Sequence, residues 1–252
     1  MGKILNAITK AASKQRRKML ANQIFERHGG VVQRGAYKGL KLDGSSNISR
    51  GPLGLKILGL YEHLVVDEIT ATAPFRDLVN FGAADGYMSL GPLIAGYCER
   101  SICFELTQEG RDAVAGNARL NGVSDKVEIR GKADDSVMAQ LSELGVSPEG
   151  TLVLCDIEGA EFFVLNDKVL NDLKGAKMIV ELHDRIQNGS TAERDALIAR
   201  LPEGASHRIL RAGSSLDFEG IEDLDALNDT DRGLVMSDGR KLYGEWLVIE
   251  YL

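Results

Sequence analysis

The chain has 252 residues, 44% of them hydrophobic and 27% charged, with a formal net charge of −7. That length can bury a full core, while no stretch of about 18 apolar residues provides a membrane span and the first twenty residues lack the apolar centre and cleavage site of a secretory signal. Three scattered cysteines, Cys98, Cys103 and Cys155, make neither a disulfide framework nor a zinc set and suit a reducing, cytoplasmic setting.

The charge is uneven along the chain. Residues 1–41 carry ten Lys/Arg against one acidic residue, Glu26, a net of +9, which leaves −16 on the remaining 211 residues. On a helical wheel Ile4, Leu5, Ile8, Ala12 and Met19 share one face, and Lys3, Lys10, Lys14 and Arg17 lie on another, the pattern of an amphipathic helix. Such an arm suits docking on the acidic body, on a second subunit in a homo-oligomer, or on an anionic partner such as a membrane surface. A glycine-rich connector follows over 28–51, then a helix over 53–67. Residues 1–70 read as a basic helical extension and 71–252 as the main domain.

From residue 76 apolar runs alternate with helical patterns. The runs are 77–81 (DLVNF), 101–106 (SICFEL), 127–130 (VEIR), 151–157 (TLVLCDI), 176–182 (AKMIVEL), 206–211 (SHRILR) and 245–251 (EWLVIEY). Helical spacing fills 86–98, 108–121, 135–144, 159–173 and 191–201. This alternation predicts an α/β fold, a mostly parallel sheet with helices on both faces. The acidic run from Asp217 to Asp231 reads as a solvated loop, with Arg232 and Arg240 as candidate grips for an anionic acceptor.

In a sheet of this kind, ligands sit beyond the carboxyl ends of the strands. The first run ends in Gly82-Ala83-Ala84-Asp85-Gly86, where glycine permits φ > 0 and close approach of a ligand. The second ends in Glu105, placed to accept hydrogen bonds from ribose hydroxyls, and the third leads to Ala133 and Asp134, placed to meet an adenine amine. A dinucleotide site wants G-x-G-x-x-G so that pyrophosphate can rest on the helix N-terminus. Here Ala84 takes the place of the middle glycine, and Asp85 adds a charge that repels pyrophosphate but suits an ammonium and a sulfonium. The pattern therefore favours S-adenosylmethionine over NAD.

Three segments, "VNFGAADGYMSLG", "NARLNGVSDKVEIRGKA" and "LVLCDIEGAEFFVL", resemble class I S-adenosylmethionine-dependent methyltransferases. More narrowly they resemble the FkbM-type family, often encoded with glycan or natural-product biosynthesis genes. The match extends over 53–182, with a looser one at the terminal "GEWLVIEYL". The resemblance implies a Rossmann-like three-layer sandwich with seven strands, the last antiparallel. It implies that Gly82, Ala83 and Gly86 line the methionine portion and that Asp85 takes the amino group. It further gives Glu105 the ribose, Ala133 and Asp134 the adenine, and Tyr61 and Glu62 the closure over the methionine end. The activity implied is O-methylation of a sugar, glycan or small-metabolite hydroxyl.

An alcohol acceptor must lose a proton, usually to a general base. The fourth and fifth strand exits offer Asp156, Glu158 and Glu161, then Glu181, His183 and Asp184. His183 is the natural base on pKa grounds, with Asp156 and Glu158 beside it. Asp156, Glu158, Glu181 and His183 would alternatively suit magnesium or manganese, lowering the acceptor's pKa. Asp156 also reads as a helix cap and His183 as a structural histidine. An NAD-dependent oxidoreductase and a non-catalytic binding module are the other two readings. Nucleic acid is not the expected acceptor, because the catalytic half is acidic and "DIEG" stands where amino-methylating enzymes carry asparagine-proline-proline-aromatic.

Overall fold

The computed structural model describes residues 2–44, 46, 48, 52–211, 220–237 and 244–251, with the side chains of residues 3, 4, 186 and 188 left aside. Asp217, Glu219 and Arg240 lie outside the described residues. The elements in chain order are α1 (Gly2–Arg27), α2 (Leu53–Ile57), α3 (His63–Thr72), β1 (Phe75–Phe81), α4 (Tyr87–Ile94), β2 (Cys98–Phe104), α5 (Gln108–Leu120), β3 (Val127–Arg130), α6 (Val137–Glu143), β4 (Thr151–Cys155), α7 (Glu161–Val164), α8 (Asp167–Asp172), β5 (Lys177–Glu181), α9 (Asp184–Asn188), α10 (Ala192–Ala199), β6 (Ala205–Arg211), α11 (Glu222–Asp225), α12 (Asp229–Val235) and β7 (Glu245–Tyr251).

These strands form one seven-stranded sheet in the order β3-β2-β1-β4-β5-β7-β6. The first five are mutually parallel, and β7 runs antiparallel to both β5 and β6. Every residue of β4 and β5 is buried. A parallel strand covered on both faces has no solvent side to alternate toward, so its sequence reads as a continuous apolar run. The edge strand β6 is half exposed and carries Arg208 and Arg211, charges that discourage further strand pairing. The chain leaves β1 toward β2 and β3, then returns to β4 on the other side of β1. That reversal opens a crevice at the carboxyl ends of β1 and β4, where this architecture binds ligands.

Several boundaries differ from the sequence reading for physical reasons. β2 begins at Cys98 rather than 101, because Arg100 donates to Asp77, a carboxylate buried in β1, and so enters the sheet despite its charge. The expected helix over 53–67 is two helices separated by Gly59. A Cβ at Gly59 would lie 2.1 Å from the Arg34 carbonyl oxygen, so this turn accepts only glycine against the connector. The expected helix over 159–173 breaks at Asn166, whose side chain accepts the Val169 N–H and restarts the chain as α8.

The acidic segment is not a loop over its described residues. It forms α11 and α12, and its buried Ile221, Leu224 and Val235 pack with Leu20, Ala21 and Ile24 of α1. Arg16 forks onto Asp231 at 2.9 and 2.6 Å, and Arg27 and His28 both reach Asp223 at 2.8 Å. Part of the basic arm is thus matched to the acids that follow 200 residues later, a pairing that sequence-local reasoning does not see.

Candidate active site

Residue identity at the β1 exit is dictated by how closely β1 and β4 leave the sheet. Gly82 has φ 92°, and a Cβ there would lie 1.8 Å from the Asp156 carbonyl oxygen. Ala84 and Gly86 also take positive φ, at 51° and 85°. Four of the turn's five amides are already bonded within the protein. Gly82 and Ala83 N–H donate to the Phe104 carbonyl, Gly86 N–H to the Ala83 carbonyl, Ala84 N–H to Glu105 Oε2 at 2.9 Å and Tyr87 N–H to Asp85 Oδ1 at 3.1 Å. Five donors that could cradle an anion are already taken, the last by the protein's own carboxylate at the N-terminus of α4.

Glu105 is buried and serves two elements at once. Its Oε1 accepts from Thr107 N–H and Oγ1, both at 2.8 Å, while its Oε2 holds the turn through Ala84. A carboxylate offers about four acceptor positions, so one remains for a ligand hydroxyl. Gly110 on α5 makes room for it, since a Cβ there would lie 2.5 Å from Glu105 Cγ.

A cavity of about 480 Å³ opens along this rim. It brings together Gly82, Glu105, Ala133, Asp156, Glu158, Glu181, His183 and Tyr61, all singled out in the sequence, and adds Thr107, Lys132 and Ile157. A smaller cavity of about 40 Å³ adjoins it through Tyr61, Gly82, Ala84 and Asp156, and is also lined by Lys56, Glu62, Asn80, Ala83, Asp85 and Trp246. Gly86 lines neither. Asp134 lines neither as well; its Oδ1 accepts Ser136 N–H and Oγ at 3.0 and 2.7 Å, and those bonds hold its carboxyl below the usual range. Of the two residues expected at the adenine, Ala133 stands at the cavity wall and Asp134 lies beside it in a turn with Ser136.

Asp85 is likewise occupied. Lys56 Nζ lies 2.6 Å from its Oδ2, and the Lys56 side chain is 2% exposed. The ammonium also sits 5.1 and 5.4 Å from the ring centres of Tyr61 and Tyr87, within reach of their negative faces. The Lys56–Asp85 pair sums to no net charge, so Asp85 does not repel pyrophosphate as its sequence position suggested. Lys56 was missed in the sequence, although it stands as the single charge in "LGLKILGL". A lone lysine in an apolar helix requires a buried partner.

At the β4 and β5 exits the balance differs. His183 is 5% exposed, and its Nδ1 lies 3.2 Å from Glu161 Oε1. Glu161 is fully buried and also accepts the N–H groups of His183 and Gly159, at 3.0 and 2.8 Å. The imidazole is held on that side, which turns Nε2 toward Asp156 Oδ1 at 3.7 Å, Glu158 Oε2 at 3.6 Å and Glu181 Oε2 at 3.7 Å. Burial pulls the imidazole pKa down, but the hydrogen bond and charge of Glu161, with Asp156 and Glu158, outweigh it and leave it above the ordinary value. Asp156 Oδ1 is buried without a hydrogen-bond partner in the protein, as is the Trp246 indole N–H. Ligand atoms of Asp156, Glu158 and His183 lie within 4.8 Å of one another, so three of the four residues expected around an ion gather, and Glu181 stands outside that set. Arg232 does not face an acceptor; its guanidinium is bound to the Leu224 and Leu227 carbonyls and to Asp229.

No protein-family model matches the chain, and no curated protein matches it. Solved structures do. An O-methyltransferase from Bacillus cereus in complex with SAH is similar at TM-score 0.50 and 13% identity, over 93% of this chain and 91% of that one. The O-methyltransferase TomG from Streptomyces achromogenes, involved in tomaymycin synthesis and solved with SAM, has TM-score 0.48 and 12% identity, over 93% and 89%. An rRNA methylase from Streptococcus thermophilus has TM-score 0.47 and 12% identity, over 75% and 95%. At these identities the likeness is one of fold, and with the strand order it shows a Rossmann-like sheet of seven strands with the last one reversed, the fold of the Bacillus cereus enzyme.

Proposed function

We propose that this chain is an S-adenosylmethionine-dependent O-methyltransferase of the FkbM type, acting on a hydroxyl of a sugar, glycan or small metabolite in the cytoplasm. The observation that carries this reading is the electrostatic character of the rim. The amides of Gly82, Ala83, Ala84, Gly86 and Tyr87 are bonded internally, while Glu105, Asp156, Glu158 and Glu181 line one cavity. Such a site suits a cationic nucleoside and rejects pyrophosphate, which disfavours the NAD reading. A non-catalytic module would have no use for four carboxylates around one oriented imidazole.

The fit can be stated residue by residue. Glu105 would hold the ribose through its remaining acceptor position, and Ala133 would lie along the base. Gly82 and Ala84 would line the methionine arm, with Tyr61 between the two cavities and Glu62 at the smaller one. Residues 71–252 would carry the chemistry, with 1–70 covering one flank. When bound, S-adenosylmethionine supplies an electrophilic methyl group whose sulfonium charge is lost on transfer. The chain's part is to orient the acceptor, which at the extreme is worth about 7–11 kcal/mol, and to remove its proton. His183 Nε2 would take that proton, with Glu161 fixing the ring from behind and the surrounding carboxylates stabilising the imidazolium that forms. Magnesium or manganese is a second reading, favoured by the unpartnered Asp156 Oδ1 beside Glu158 and His183; a hard ion there would lower the acceptor's pKa.

The test is methyl transfer from labelled S-adenosylmethionine to a panel of hydroxyl acceptors, with and without a chelator. Turnover that survives chelation and falls in His183→Gln supports the base. Loss on chelation, restored by magnesium, supports the ion. Undiminished turnover in both His183→Gln and Asp156→Asn overturns the proposed chemistry.

A further inference from the structure

The amino-terminal part of α1 has a use that the rim does not explain. The helix meets the body from Arg16 onward, through the Arg16–Asp231 ion pair and the buried Leu20, Ala21 and Ile24. Ahead of Arg16 run fourteen helical residues from Gly2, roughly 21 Å at 1.5 Å per residue. Leu5 is 64% exposed, Ile8 61% and Met19 46%. At 3.6 residues per turn these three fall within one narrow sector, centred roughly 110° around the helix from that of Leu20 and Ile24. The apolar stripe therefore lies on an exposed flank of the helix, beside the face that docks on the body. Lys10, Lys14, Arg17 and Lys18 gather in a separate sector about 100° wide on the other flank, and no acidic residue precedes Glu26.

We propose that this helix lies on an anionic lipid surface, with the Leu5–Ile8–Met19 stripe entering the headgroup boundary and the lysines meeting lipid phosphates. Charge complementarity selects that occupant. Two copies of an arm with cations and no acids repel one another, so the stripe is not built for self-pairing. Nucleic acid would match the cations but leave the aliphatic stripe in water. An interfacial helix uses both faces at once. The body's net charge of −16 over residues 42–252 repels an anionic surface, so contact is confined to the arm. The ion pairs of Arg16 with Asp231 and of Arg27 and His28 with Asp223 fix the angle at which the arm is presented. No described helix is long and apolar enough to cross a membrane, so the contact is peripheral.

Co-sedimentation of the full chain with vesicles tests this directly. Wild type is expected to sediment with phosphatidylcholine vesicles containing phosphatidylglycerol, to stay in solution with phosphatidylcholine alone, and to be released by high salt. Leu5→Glu/Ile8→Glu and Lys10→Glu/Lys14→Glu, all at exposed positions, should each weaken binding at least about tenfold while leaving the far-ultraviolet circular dichroism and S-adenosylmethionine affinity unchanged. Failure of wild type to bind anionic vesicles, or undiminished binding by Leu5→Glu/Ile8→Glu, overturns the proposal. So does wild-type dimerisation that this variant abolishes, or RNA binding that the variant keeps in place of vesicle binding. Because none of these outcomes involves the rim, they leave the methyltransferase reading to its own test.

Discussion

On one side of Gly82 the Lys56 ammonium lies 2.6 Å from Asp85, both side chains nearly out of water and the pair neutral. On the other side His183 faces four carboxylates, Asp156, Glu158, Glu161 and Glu181. The cavities beside the two clusters share Gly82 and Ala84 of one turn, yet the first cluster is a closed pair and the second is open to the larger cavity. A closed buried pair needs nothing further, and its value lies in not being broken. An open set of acids beside a cavity is stable only with a proton, an ion or a cationic ligand to share, and groups held in such surroundings are those that functional sites use.

The contrast can be broken most forcefully at Lys56. Lys56→Met leaves Asp85 buried without its partner and should cost about 3–5 kcal/mol in urea unfolding, while Lys56→Met/Asp85→Asn should recover most of that loss. A single variant as stable as wild type would mean the pair is not closed in solution. His183→Gln should act on the open side only, lowering methyl transfer by about 10²–10⁴-fold with S-adenosylmethionine affinity unchanged by calorimetry. Glu105→Ala strands the Ala84 and Thr107 donors, each worth about 1–3 kcal/mol if left unsatisfied. Its cofactor affinity should fall by at least about tenfold, so this variant joins the two effects that the other substitutions separate.

The smallest effect is a pH dependence. The folded His183 titrates above its ordinary value of 6.5, burial being outweighed by Glu161 and the neighbouring acids. A group whose folded pKa is raised contributes stability that is complete below the unfolded pKa and is lost as pH rises through the folded one. The urea midpoint should therefore fall as pH climbs from 6.5 through that higher folded value, and His183→Gln should flatten the slope. Methyl transfer, which needs the neutral imidazole, should rise over the same interval.

The seven strands were legible because five of them are parallel and β4 and β5 are covered on both faces, which writes them as apolar runs. The rim acids were legible because strand exits are where this fold binds ligands. What escaped were partnerships between distant residues. Arg100 enters β2 only because Asp77 waits beneath it, and Asp85 looks like a free anion until Lys56, 29 residues earlier, is folded against it. Asp134 sits at the expected strand exit, and its neighbour Ser136 holds one of its carboxylate oxygens, a contact that no spacing rule foretells. The acidic segment after β6 reads as solvated because its buried Ile221, Leu224 and Val235 are sparse, and their partners lie on α1.

The account rests on the rim being made for a cationic nucleoside, and titration calorimetry of the wild-type chain with S-adenosylmethionine and with NAD measures that most directly. The prediction is saturable binding of S-adenosylmethionine, weakened in Glu105→Ala, and no heat from NAD. Binding of NAD at a site that Glu105→Ala disrupts, or no binding of S-adenosylmethionine at all, would contradict it.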